Sequence, residues 1–71
     1  MMNIQINGKV EFFVAETLTV SALLVAQKVD MPEMVSVEVN GDVLDRDAFG
    51  TTVVKEGDTV EFLYFMGGGR A

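Results

Sequence analysis

The 71-residue sequence contains no cysteine and no histidine. Without cysteine, neither a disulfide nor a thiolate metal site can supplement the hydrophobic core. Without histidine, the commonest metal ligand and the commonest general base near neutral pH are both missing. Positive charge is scarce too: five Lys and Arg stand against eleven Asp and Glu, a net charge of −6. Nucleic-acid binding through phosphate neutralisation does not suit that balance. A protein partner with a basic docking surface does, although such acidity also simply keeps a small protein soluble. No apolar run approaches the roughly 20 residues that cross a bilayer, and no signal peptide is recognisable. No membrane partner is therefore expected, and the expected compartment is the cytoplasm. What the chain has in plenty is apolar side chains, 49% of its residues, the composition of one small folded domain.

The apolar residues change period along the chain. Ile4 and Ile6 alternate with polar neighbours, Asn7-Gly8 is a strong hairpin signal, and Val10, Phe12 and Val14 share one face of a returning strand. Residues 3–14 therefore read as an antiparallel hairpin. Val20, Leu23 and Leu24 then follow helical spacing, predicting a helix of about three turns over residues 19–29. Thr19 suits its N-cap, and Leu18 with Leu23 suits a hydrophobic staple. Pro32 prevents the helix from continuing and favours an extended Met31.

Strand periodicity resumes at Val35, Val37 and Val39. A tight turn at Asn40-Gly41 or Gly41-Asp42 leads to a short return strand at Val43-Leu44. Residues 45–58 are polar and irregular, with Phe49 and Val53 or Val54 as anchors and Glu56-Gly57-Asp58 as a turn. In the final strand, residues 59–65, Val60, Phe62 and Tyr64 alternate with Glu61, Leu63 and Phe65. The order implies an α+β fold: a mixed sheet of about five strands with one main helix packed across it. The pattern leaves the strand order open between a β-grasp and other α+β arrangements.

The domain is expected to occupy residues 1–66, followed by a flexible arm over residues 67–71. Gly67, Gly68 and Gly69 carry no side chains to pack and reach roughly 10 Å when extended. A frayed terminus is the plain reading of such an arm. The alternative is delivery of a chain end into another protein, since a narrow channel admits glycine where a Cβ would not fit. Leu63, Phe65 and Met66 beside it form a candidate partner-binding patch, unless the strand is buried on both faces.

Other chemistry is poorly represented. The glycines lack the Lys-Ser/Thr and following helix of a phosphate-binding loop. Asp42, Asp45 and Asp47 lack the Gly and distal Glu of a calcium loop, so a solvated turn is expected, with Arg46 in a local ion pair. The five methionines read as gap-fillers or rim contacts.

Residues 2–69 resemble the ThiS family of sulfur carriers. The resemblance rests on Asn3-Ile4-Gln5-Ile6-Asn7-Gly8, the Thr19-Val20-Ser21-Ala22-Leu23-Leu24 helix start, Val35-Ser36-Val37-Glu38-Val39-Asn40-Gly41, Arg46, Glu56-Gly57-Asp58-Thr59-Val60-Glu61 and the terminal glycines. It implies a ubiquitin-like β-grasp fold and a role as protein co-substrate, not as an enzyme with catalytic residues of its own. An E1-like, ThiF-like adenylyltransferase would use ATP to activate the Gly69 carboxylate. Sulfur from a cysteine desulfurase would convert it to a thiocarboxylate, and a ThiG-like thiazole synthase would accept it for the thiazole of thiamine. No cofactor is expected on the carrier itself.

The chain departs from that pattern by continuing past Gly69 with Arg70 and Ala71. The Gly69–Arg70 bond is therefore a candidate processing site, with a peptidase as a further partner. Such an extension also keeps open cysteine or homocysteine synthesis as the destination of the sulfur. Molybdopterin synthesis, tRNA thiolation and a ubiquitin-like binding module remain alternatives, and Arg46 receives no catalytic role.

Overall fold

In the computed structural model the described residues are 1–64; the expectations placed on Phe65, Met66 and residues 67–71 lie outside them. Strand β1 (Met2–Ile6) buries Met2, Ile4 and Ile6 and exposes the residues between them. Asn7 and Gly8 follow at φ 52° and 83°, the left-handed pair that a two-residue hairpin turn requires. Strand β2 (Lys9–Phe13) then pairs antiparallel, with Lys9 opposite Ile6, Glu11 opposite Ile4 and Phe13 opposite Met2. That register assigns Val10 and Phe12 to the outer face and leaves Phe13 partly buried against the core. Val10 and Phe12 stand beside Gln5 and Asn3, and they are 63% and 60% exposed.

A short strand β3 (Thr17–Thr19) leads into helix α1 (Val20–Ala26). Thr19 is the N-cap, its Oγ1 accepting the Ala22 N–H at 3.1 Å. Val20, Leu23 and Leu24 are buried, while Leu18 and Val29 pack partly buried against the same core. The helix is two turns long, shorter than the periodicity predicts, because it stops at Lys28 and not at Pro32. Lys28 is left-handed at φ 58°, with its N–H bonded to the Val25 carbonyl and the Val29 N–H to that of Leu24. These two bonds make a Schellman end with lysine where glycine is usual. Pro32 instead opens a 3-10 turn (Pro32–Met34).

Strands β4 (Val35–Val39) and β5 (Asp42–Val43) form the second hairpin, turning at Asn40 and Gly41 with φ 53° and 89°. After a 3-10 turn (Arg46–Ala48), strand β6 (Val53–Lys55) pairs with β3, giving a small second sheet that periodicity does not reveal. Val54 is its buried anchor and Val53 is half exposed. Strand β7 (Thr59–Tyr64) completes the main sheet in the order β2-β1-β7-β4-β5. β1 and β7 are parallel at its centre, and the other pairs are antiparallel.

Helix and sheet share one core: Val20, Leu23 and Leu24 belong to the same buried cluster as Ile4, Val37, Val60 and Phe62. This is the β-grasp arrangement, a mixed five-stranded sheet with one helix across it. Among the described residues no helix is long and apolar enough to cross a membrane.

Candidate functional site

Strand β7 is the last described element before the glycines in sequence, and it is held on both flanks. It occupies a central position between β1 and β4. The Gln5 N–H donates to the Asp58 carbonyl at 3.1 Å and the Asn7 N–H to that of Val60 at 3.0 Å. Beyond Asn7 the backbone turns away, and the Asn7 side chain continues the ladder: its Oδ1 accepts the Phe62 N–H at 2.8 Å. On the other flank Asn40 bonds Thr59 twice. Its N–H donates to the Thr59 carbonyl at 2.7 Å, and its Oδ1 accepts the Thr59 N–H at 2.9 Å. Both Asn-Gly turns thus clamp β7 as well as reversing the chain.

Asp58, the buried acidic residue at the foot of β7, completes this joint. Its carboxylate accepts the Lys55 N–H at 3.0 Å and Asn40 Nδ2–H at 3.1 Å, with Lys55 Nζ at 3.5 Å. Burial pushes its pKa up, but the bonds from Asn40 and Lys55 and the Lys55 charge outweigh burial and hold it below the ordinary 3.8. The sequence reading of Asn7, Asn40 and Asp58 stops at turn formation. The bonds of Asn40 to Asp58 and to Thr59 and of Asn7 to Phe62 cross 18, 19 and 55 positions of sequence, a distance at which local patterns carry no signal.

The outer face of β7 carries Glu61 and Leu63. Leu63 is 44% exposed and lies opposite Ser36, while Glu61 lies directly opposite Glu38. Val43 pairs with Glu38 and is exposed on the same side. Leu63 therefore stands on an open face that combines apolar side chains with an unmatched like-charge pair, an arrangement suited to a basic and apolar partner surface. Tyr64 alternates onto the core side, yet it is 51% exposed at the last described position of the strand. Phe65, Met66, Gly67, Gly68, Gly69 and Arg70, the other residues singled out from sequence, lie outside the described residues.

Arg46 is placed differently from expectation. Among the described residues it makes no ion pair with Asp42, Asp45 or Asp47. Its Nη1 donates to the Pro32 carbonyl at 2.8 Å, and its guanidinium lies 6.0 Å from the centre of the Phe49 ring. It ties the two 3-10 turns together. Among the described residues no group of three His, Cys, Asp or Glu is placed to hold a metal ion.

Comparison with known proteins agrees with this geometry. A family model described as the ThiS family matches residues 3–69. The crystal structure of a thiamine biosynthesis protein (ThiS) from Geobacter metallireducens is 58% identical. The match covers 96% of this chain and all of that one, with a TM-score of 0.87. An NMR solution structure of a thiamine biosynthesis protein from the same organism is 56% identical over 99% of this chain and 91% of that one, with a TM-score of 0.81. A thiazole synthase from Magnetococcus marinus is 38% identical over 69 residues. Those residues are 97% of this chain but 21% of that protein, so the chain spans about a fifth of the length of the curated relative it matches.

Proposed function

The chain belongs to the ThiS family, and we propose that it is a sulfur carrier for thiamine synthesis that works through the carboxyl of Gly69. The observation that carries this reading is the extent of the family match, which runs to Gly69 and stops there. The solved relatives named for thiamine biosynthesis support the pathway. The match to a stretch of a thiazole synthase supports that enzyme as the acceptor of the sulfur.

The chemistry follows from the carboxylate being a poor electrophile. One of its oxygens attacks the α-phosphorus of ATP on an E1-like enzyme, pyrophosphate leaves, and the acyl-adenylate gains a good leaving group. A persulfide derived from a cysteine desulfurase displaces AMP. A second thiol then cleaves the S–S bond and leaves the thiocarboxylate. Beyond that carboxylate the carrier need supply no side-chain acid, base or nucleophile, which suits a chain without histidine or cysteine. Leu63 on the open face of the sheet would help to dock it, with its acidic surface turned to a basic partner.

In this sequence Gly69 is joined to Arg70, so its carboxyl is an amide until that bond is hydrolysed. A peptidase acting at Gly69–Arg70 precedes loading. The test compares a form ending at Gly69 with the form retaining Arg70 and Ala71. Each is incubated with ATP, the E1-like enzyme and a sulfur donor, then weighed. The trimmed form should gain the mass of one oxygen-to-sulfur exchange and the longer form nothing. No gain in the trimmed form would overturn the carrier reading, and equal gain in both would overturn the processing step.

A further inference from the structure

The two Asn-Gly turns share one backbone geometry but differ in what holds their side chains. Asn7 and Asn40 have φ of 52° and 53°, followed by Gly8 and Gly41 at 83° and 89°. An asparagine before glycine is chemically exposed, because no side chain on the glycine shields its nitrogen from the neighbouring amide carbon. At Asn40 both ends of the amide are engaged, Oδ1 by the Thr59 N–H at 2.9 Å and Nδ2 by Asp58 at 3.1 Å. At Asn7 only Oδ1 is engaged, by the Phe62 N–H at 2.8 Å, and Nδ2 has no partner among the described residues.

We propose that Asn7 is a site of spontaneous deamidation in the folded protein and that Asn40 is held out of the same reaction by its second hydrogen bond. The Gly8 nitrogen attacks Asn7 Cγ, the Cγ–Nδ2 bond breaks, and ammonia leaves with the proton from the Gly8 amide. Water then opens the cyclic imide at either carbonyl, giving aspartate or isoaspartate. Aspartate at position 7 keeps an acceptor for the Phe62 N–H. Isoaspartate lengthens the main chain of the turn by one carbon and moves that acceptor, loosening β7 where Asn7 clamps it. At Asn40 the charge-assisted bond to Asp58 must break before the amide can move, a constraint large enough to slow the reaction about tenfold.

Trypsin separates the sites, since Lys9, Lys28 and Arg46 place Asn7 in residues 1–9 and Asn40 in residues 29–46. The full chain is aged at mildly alkaline pH, digested, and its peptides are weighed and separated by chromatography against a fresh control. Residues 1–9 should gain the mass of an amide-to-acid exchange at Asn7, appearing as two isomers, about tenfold faster than residues 29–46. In urea the two rates should converge. Equal rates in the folded chain would overturn the proposal, as would modification at Asn3 in place of Asn7. A difference that survives unfolding would assign the selectivity to local sequence and refute the role of the fold.

Discussion

The joint at Asp58 makes a quantitative prediction through Asp58→Asn. The substitution keeps the shape of the side chain and removes its charge. Whichever way the new amide is oriented, its NH2 faces either the Lys55 N–H or Asn40 Nδ2, each now 3.0–3.1 Å from an acceptor. One charge-assisted bond is therefore lost outright and the other weakened. Bonds to charged groups contribute about 1.5–3 kcal/mol each, so the expected loss is about 2 kcal/mol. The Lys55 ammonium adds little, because its side chain is 71% exposed. In a domain of this size the change lowers Tm by roughly 8–16 °C.

The pH dependence supplies the decisive control. Asp58 has a folded pKa below its ordinary value of 3.8, so the native state releases its proton more readily than the unfolded chain. Its contribution is fully present above the ordinary value and is lost as pH falls through the lower folded value. Urea unfolding followed by far-UV circular dichroism should show the parent's margin over Asp58→Asn intact at neutral pH and shrinking in acid. Equal stability at neutral pH, or a margin that holds constant or grows in acid, would refute the hydrogen-bonded carboxylate.

Three smaller perturbations test other joints. Thr19→Ala removes the acceptor for the Ala22 N–H and should cost about 1 kcal/mol in the same urea assay. Lys28→Gly relieves a left-handed residue at φ 58°; after allowing for glycine's greater unfolded freedom, it should stabilise by about 0.5 kcal/mol. Leu63→Asp alters an exposed side chain and should leave stability within about 0.5 kcal/mol. It should nevertheless raise KM for adenylation of the trimmed chain by the E1-like enzyme, and unchanged kinetics would remove Leu63 from the docking surface.

The main elements were readable because their causes are local. Alternation at Ile4 and Ile6, the Asn-Gly turns and the Thr19 cap each act within a few residues, and each forms where the pattern predicts. The helix end was not readable, because Lys28 adopts a left-handed conformation that lysine composition does not advertise. Strands β3 and β6 were missed for a related reason: each is three residues long and exists only by pairing across 34–38 positions. The central parallel pair of β1 and β7 likewise depends on closing the whole chain. Local pattern therefore predicts the hairpins but leaves their order in the sheet open.

The same division separates the two halves of the proposed site. The proposed carboxylate on Gly69 would make demands that a sequence can state directly: no Cβ and enough length. The surface proposed to dock makes demands that only register can state. Glu38 faces Glu61, and Leu63 faces Ser36, because β4 and β7 pair with Val37 opposite Phe62. A shift of one residue would turn these side chains into the core and bring Val37 and Phe62 out. The buried face excludes that shift, since Val35, Val37, Val60 and Phe62 all belong to the buried core. The acidic and apolar outer face is thus a consequence of how the inner face packs, and the proposed docking surface would inherit its layout from the core.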